Sequence, residues 1–189
     1  MSRSNIFDAT SALHAITSEM MKYTFFILMS LGALFSGCRR IENIDKQKPV
    51  IALSIPGAFP RNCDTLYFGE PFDFIALFTD NVELGSLRAY SIDIHHNFDH
   101  HSHSTEQLSA CSFDAAKQAK NAFLMIQDFS LASGLKEIRV QESVFIPSGN
   151  ALGLFDEGDY HFFVSLTDKE GWSAKKGLSI KMMHRPKKP

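Results

Sequence analysis

Apolar and polar residues alternate in several segments of the chain, and this period of two is the feature that most limits the fold. Residues 90–95 illustrate it, with apolar side chains on one side of an extended chain and polar side chains on the other. The predicted strands are residues 49–55, 72–78, 87–95, 136–146, 160–166 and 178–182. Only residues 113–129 look helical or irregular, because the stretch AAKQAKNAF favours a short helix. The pattern predicts an all-β domain.

A local motif before one of these strands narrows the fold further. The stretch FDEGDYHF carries Asp156, Gly158 and Tyr160 directly before an alternating segment. This Asp-x-Gly-x-Tyr arrangement resembles the tyrosine corner of immunoglobulin-like sandwiches, in which the tyrosine hydroxyl bonds to upstream backbone. The loops FTDNVEL and TDKEGW are also typical of bacterial immunoglobulin-like modules. The resemblance implies an immunoglobulin-like β-sandwich of about seven strands.

The beginning of the chain predicts export and lipid attachment. Lys22 precedes an apolar run over residues 23–35, which is too short to cross a bilayer about 30 Å thick. The run ends in Phe-Ser-Gly-Cys, which resembles the lipobox of bacterial lipoproteins, although Phe35 replaces the usual leucine. The resemblance implies cleavage before Cys38 and acylation of that cysteine. The alternatives are an ordinary cleaved signal peptide and a buried apolar helix.

These features predict a five-part organisation. The parts are an upstream extension (1–20) before a natural start at Met21, a lipoprotein signal peptide (21–37), a charged tether (38–48), the immunoglobulin-like domain (49–183) and a basic tail (184–189). We therefore expect a protein of the cell envelope, anchored by lipid to the outer membrane and facing either the periplasm or the surface. The formal net charge of −2 gives no electrostatic reason to expect nucleic-acid binding.

Two cysteines are left once Cys38 is assigned to lipidation. In an oxidising compartment, Cys63 and Cys111 are most simply explained as a disulfide. The alternative is a pair of free thiols, one of them near a histidine-rich stretch.

That stretch, SIDIHHNFDHHSHS, holds most of the histidines of the chain. Neutral imidazole is a common ligand of zinc and copper, so the stretch predicts a metal site. A further candidate is His161, which faces away from the core if Tyr160 faces it. In an immunoglobulin-like sandwich its strand commonly neighbours the strand at 87–95, which would bring His161 close to His95. The predicted ligands are His95, His100, His101, His103 and His161, and the predicted orienting carboxylates are Asp93 and Asp99.

The order of these motifs resembles a known family. A lipobox is followed by KPVIAL, FTDNVELGS, IDIHHNFDHHSHS, a late cysteine and GDYHFFVSLTDKEGW. The chain resembles a family of Bacteroidota lipoproteins catalogued as a domain of unknown function. The resemblance implies an extracytoplasmic immunoglobulin-like domain and no established activity.

Two functions are consistent with these observations. The first is a lipid-anchored protein that holds one copper or zinc ion at the cell envelope. The second is an adhesion or accessory module that binds a protein or glycan partner, with the histidines incidental. We do not expect an enzyme, because no G-x-S-x-G elbow, phosphate loop or dinucleotide motif occurs in the sequence.

Overall fold

The computed structural model describes residues 45–105 and 111–186, which contain strands and loops but no helix. The predicted signal peptide, Cys38 and most of the tether lie outside these residues. The strands are β1 (Val50–Ala52), β2 (Thr65–Phe68), β3 (Pro71–Thr79), β4 (Tyr90–His96), β5 (Leu124–Phe129), β6 (Glu137–Phe145), β7 (Gly149–Asn150), β8 (Gly153–Leu154), β9 (Gly158–Thr167) and β10 (Ser173–His184). Within the described ranges, no helix is long and apolar enough to cross a membrane.

Two sheets form the body of the domain. One has three strands in the order β1-β3-β6, and the other has five in the order β2-β10-β9-β4-β5. Strands β7 and β8 form a separate small hairpin. The pairing of β10 with β2 is parallel, and all other strand pairs within the two main sheets are antiparallel. This arrangement confirms the prediction of an all-β fold of the sandwich type.

Aromatic side chains from both sheets pack in the core. Phe74 and Phe78 on β3 alternate with outward-facing residues, as the period of two requires. The ring of Phe78 lies 5.0 Å from that of Tyr90 on β4, and the ring of Phe74 lies 5.9 Å from that of Phe162 on β9. Full burial of one such side chain contributes about 1.5–3 kcal/mol to stability. The apolar sides of the alternating segments are thus what holds the two sheets together.

The expectation of a short helix within residues 113–129 is wrong. Residues 111–119 are irregular, and β5 follows at Leu124. The backbone amides of Lys120 and Asn121 both donate to Asp156 Oδ2 at 2.7 Å, and the amide of Lys117 donates to the carbonyl of Phe98 at 3.0 Å. These amides bond to distant parts of the chain instead of to carbonyls four residues earlier, so tertiary contacts override the helix propensity.

The turn before β9 contains the hydrogen bond that defines a tyrosine corner. Tyr160 is fully buried, and its hydroxyl donates to the backbone carbonyl of Asp156 at 2.7 Å. The same oxygen accepts the amide of Phe123 at 3.2 Å. Burial raises the pKa of the Tyr160 hydroxyl to about 12, which keeps it protonated as a donor. Gly158 adopts a φ of +133°, and a Cβ there would come within 3.3 Å of the Phe98 ring.

A disulfide joins Cys63 and Cys111, as predicted, with an S–S distance of 2.08 Å. It connects the loop before β2 to the segment that follows the histidine-rich stretch. That segment is further held by the amide of Asp114, which donates to Asp159 Oδ2 at 2.8 Å. The histidine-rich stretch therefore lies between the strand β4 and a covalently attached segment.

Candidate metal centre

Adjacent strands bring the first two histidines together. His95 on β4 and His161 on β9 are directly paired in the antiparallel register, and their ring centroids lie 5.1 Å apart. Both side chains stand on the outer face of the five-stranded sheet, because the neighbouring Tyr160 and Phe162 are in the core. His161 is nevertheless 0% exposed, so the outer face is covered at this point.

The loop after β4 supplies two more histidines on the same side of the sheet. The ring centroids of His101 and His103 lie 4.7 and 4.8 Å from that of His161, and 5.1 Å from each other. Both loop side chains are exposed to solvent, whereas His161 is buried. The loop is pinned at its start, where the amide of Asn97 donates to the Asp159 carbonyl at 2.8 Å. The group therefore has a buried side against the sheet and an open side toward solvent.

We call this group the histidine cluster; its members are His95, His101, His103 and His161. One ring nitrogen from each lies within 4.8 Å of one from every other member. In a tetrahedral zinc site, bonds of about 2.0–2.1 Å place the nitrogens roughly 3.3 Å apart. The two loop side chains are exposed and need to move only by ångström-scale steps to reach that spacing. The donor set therefore fits a four-coordinate ion.

Two carboxylates orient rings of the histidine cluster. Asp93 Oδ1 lies 3.0 Å from His95 Nδ1, and Asp99 Oδ1 lies 2.5 Å from His101 Nδ1. The hydrogen bond from His101 holds the pKa of Asp99 below its ordinary value, so this carboxylate stays ionised. When Nδ1 donates its proton to a carboxylate, the lone pair of Nε2 is left to bind a metal ion. Both predicted orienting residues thus contact predicted ligands.

Phe163 lies beside the histidine cluster, on the same face of β9 as His161. Its ring centroid is 5.5 Å from that of His95, 5.0 Å from that of His103 and 5.6 Å from that of His161. Lys175 Nζ lies 4.3 Å from the centre of the Phe163 ring and 3.9 Å from Asp93 Oδ2. This apolar ring limits solvent on one side of the cluster and restricts the positions that the imidazole rings can take.

The structure does not bring His100 into the histidine cluster. His100 has a φ of +58°, a left-handed conformation. Its Nε2 lies 3.7 Å from Asp159 Oδ2, and its ring stacks on Phe113 with centroids 5.1 Å apart. His184 also lies apart, at the end of β10, with Nε2 3.0 Å from the carbonyl of Phe155.

A group of carboxylates at another edge of the fold was not predicted as a site. Asp45, Asp80 and Asp168 each offer an oxygen within 4.8 Å of the others. The sequence shows Asp80 and Asp168 only as parts of loops typical of the fold, and nothing in the spacing of the three indicates that they meet.

Comparison with known proteins identifies one family model. The model described as Domain of unknown function (DUF4625) matches residues 36–183. No curated protein matches the chain. Among solved structures, a chain described as "GspB Siglec domain" is similar at 18% identity with a TM-score of 0.39, over 77% of this chain and 62% of that one. The present chain therefore spans less than two thirds of that relative.

Proposed function

This chain belongs to the DUF4625 family, a domain of unknown function, and we propose that it binds one copper or zinc ion through the histidine cluster. The observation that carries the proposal is the convergence of four imidazoles from two strands and a loop within 4.8 Å. The hydrophobic core lies on the opposite face of β4 and β9, so packing of the core does not require these imidazoles to meet.

The chemistry of the donors selects the class of ion. Imidazole nitrogen suits zinc, copper, nickel and iron, whereas calcium and magnesium prefer oxygen. The cluster offers neutral nitrogen ligands, and its two carboxylates contact ring nitrogens at Nδ1. Four protein ligands leave no open position for substrate, which is the arrangement of a holding or transfer site and differs from that of most catalytic zinc sites.

The exposed and buried members have different tasks in this proposal. His95 and His161 are positioned by the paired strands and form the fixed half of the site. His101 and His103 lie on the solvent side, so they can open to admit or release the ion. We propose that the protein captures or delivers the metal while anchored by lipid through Cys38 at the cell envelope, as the lipobox resemblance implies.

A binding module for a protein or glycan partner is the second candidate. One observation favours it: Leu124 and Ile126 are 66% and 69% exposed on β5, which forms an edge of the five-stranded sheet. Exposed edge strands with apolar side chains are sites at which another chain can dock. In this case partner binding would be unchanged after removal of metal.

Metal analysis of the full chain after gentle purification, followed by titration with Zn²⁺ or Cu²⁺, tests the metal-binding proposal. We expect one ion per chain, and the double variant His101→Ala/His103→Ala should bind at least about 100-fold more weakly, because even outer partners of metal ligands contribute 10–100-fold. His100→Ala is the matched control, since it removes a histidine of the same loop outside the cluster. Sub-stoichiometric metal, or undiminished binding by the double variant, would overturn the proposal.

A further inference from the structure

Three aspartates from distant parts of the chain converge at the far end of β9 from the histidine cluster. Asp45 precedes β1, Asp80 follows β3, and Asp168 follows β9. Asp45 and Asp168 are only 6% and 3% exposed. Asp80 is partly exposed as a residue, but its Oδ2 atom is buried. Buried carboxylates are uncommon unless they are paired or bind a cation.

In two of these carboxylates, one oxygen is used to shape the local turn. Asp80 Oδ1 accepts the backbone amides of Val82 and Glu83, each at 2.8 Å. Asp168 Oδ1 accepts the amide of Trp172 at 2.8 Å. These bonds hold each side chain in one orientation and do not involve its second oxygen, Oδ2.

Asp45 follows the same pattern and joins the chain before β1 to both loops. Its Oδ1 accepts the amide of Gln47 at 3.0 Å and the side-chain amide of Asn81 at 2.9 Å. These two donors, with the Gln47 amide the larger contributor, hold the pKa of Asp45 below its ordinary value. The backbone carbonyl of Asp45 accepts the indole N–H of Trp172 at 2.9 Å.

The remaining oxygens have no partner within residues 45–105 and 111–186. The Oδ2 atoms of Asp45, Asp80 and Asp168 are buried and accept no hydrogen bond there. Two nearby lysines are engaged elsewhere: Lys169 pairs with Glu83 at 2.6 Å, and Lys136 donates to the Asn81 carbonyl at 3.0 Å. In the part of the chain that the structure describes, no ion pair reaches the three carboxylates, and like charges this close repel strongly away from water.

We propose that Asp45, Asp80 and Asp168 form a binding site for Ca²⁺. The donors are all oxygen, which excludes a preference for zinc or copper and favours a hard cation. Calcium accepts six to eight oxygens in flexible geometry, so backbone carbonyls and water can complete its shell. Magnesium demands a near-ideal octahedron and gives up its water reluctantly, so it fits three protein carboxylates on separate segments less well.

The ion would attach the segment before β1 to the loops after β3 and β9. Asp45 lies before the first strand, and its partners lie on the loops after β3 and β9. These loops already contact each other, because the amide of Gly85 donates to the Thr167 carbonyl at 3.0 Å. A Cβ at Gly85 would come within 2.7 Å of that carbonyl, so this approach requires glycine. Calcium would therefore fix residue 45 onto a preformed corner of the sandwich, independently of the histidine cluster.

Terbium luminescence gives a direct test on the full chain. Tb³⁺ replaces Ca²⁺ at oxygen sites and emits when a nearby indole is excited, and Trp172 is the one tryptophan of the sequence. Its hydrogen bond to Asp45 places it beside the proposed ion. We expect saturable emission that Ca²⁺ abolishes by competition at lower concentration than Mg²⁺. Absence of sensitised emission, or emission that Ca²⁺ does not displace, would overturn the proposal.

Asparagine variants separate the ligand role from the turn. Asp80→Asn and Asp168→Asn keep an Oδ1 that can accept the local amides, but they remove the second carboxylate oxygen. Each should weaken Tb³⁺ binding at least about tenfold, because affinity follows the charge count of the ligands. Asp45→Asn repeats the test without altering either loop. Asp73→Asn, an exposed residue of β3, is the control with the same change in charge. Equal affinity in the variants and the control would contradict the site.

Thermal unfolding provides a second readout. Ca²⁺ should raise the melting temperature of the unsubstituted chain more than that of Asp80→Asn at the same Ca²⁺ concentration. In chelator, Asp80→Asn should melt no lower than the unsubstituted chain, since it relieves repulsion among the carboxylates. A variant that is destabilised equally with and without Ca²⁺ would show that Asp80 only shapes its turn, and the proposal would fail.

Discussion

His95 and His161 are separated by 66 residues in sequence, yet they are directly paired across two antiparallel strands with their rings 5.1 Å apart. This pairing is what converts a histidine-rich loop into a candidate site. Histidines in a loop alone can bind metal in many arrangements. Two imidazoles held by a sheet fix the positions of two ligands relative to each other.

Replacing His161 with phenylalanine should abolish metal-dependent stabilisation while the domain still folds. Phenylalanine fills a similar volume in this fully buried position beside Phe163, so no large cavity forms. For the unsubstituted chain, free Zn²⁺ at 100 times its Kd should stabilise the fold by about 2.7 kcal/mol. Chemical unfolding with and without Zn²⁺ measures the difference. A His161→Phe protein that retains the stabilisation would exclude His161 as a ligand.

Neutralising an orienting carboxylate should weaken metal binding without removing any ligand. Asp99→Asn keeps an acceptor for His101 Nδ1 but loses the charge, so we expect affinity to fall about 10–100-fold. Isothermal titration with Zn²⁺ measures the effect. Asp128→Asn, on β5, is a control with the same charge change outside the cluster. Equal affinities of the two variants would mean that Asp99 does not orient the ring.

Removing the hydroxyl of Tyr160 should destabilise the domain only through loss of the hydrogen bonds of the tyrosine corner. Tyr160→Phe loses the bond to the Asp156 carbonyl and leaves the buried amide of Phe123 without its acceptor. The cost should be about 1–3 kcal/mol in the free energy of unfolding, measured in urea. Tyr67→Phe, at a partly buried position on β2, should cost less. Equal losses from both variants would contradict a special role for the corner.

Stability should fall in acid partly through Asp156. Burial raises the pKa of this carboxyl. The amides of Asn121 and Lys120, together with the charges of Lys117 and Lys120, outweigh burial, so the folded-state pKa lies below the ordinary value of 3.8. A lowered pKa adds stability above the unfolded pKa, and this contribution is lost as the pH falls through the folded pKa.

Urea unfolding at about pH 5 and about pH 3 measures that loss. Asp156→Asn should show a smaller decrease between the two conditions than the unsubstituted chain, because asparagine does not titrate. The exposed Asp73→Asn serves as the reference substitution. A decrease of the same size in Asp156→Asn would assign the acid sensitivity to other groups.

The period of two was sufficient to predict most of the sandwich. The segments around Phe74, Ile92 and Phe162 alternate because one face of each is buried, and their strands are present. Strand β5 could not be recognised in the same way, since Leu124 and Ile126 are exposed at the edge of the sheet. The stretch before it favours a helix by composition, but its amides bond to the distant Asp156 and Phe98, which makes it irregular.

The candidate sites divide along similar lines. His161 could be inferred because alternation places it opposite the core and the family of sandwiches pairs its strand with β4. The departure of His100 depends on a left-handed backbone at one residue, which the sequence HHNFDHH does not encode in any visible pattern. The meeting of Asp45 with Asp168 depends on how loops close at one corner, and no local pattern reports such closure.

Strand β9 carries His161 near its beginning, and Asp168 comes directly after its last residue, Thr167. Seven residues of extended chain correspond to about 23 Å, so the histidine cluster and the aspartate site lie far apart along the same strand. A borderline ion that prefers nitrogen would thus bind at the histidine cluster, and a hard ion that prefers oxygen would bind at the aspartates near the other end of β9. Neither ion could displace the other, so an excess of calcium would leave the histidine cluster available to scarcer metals.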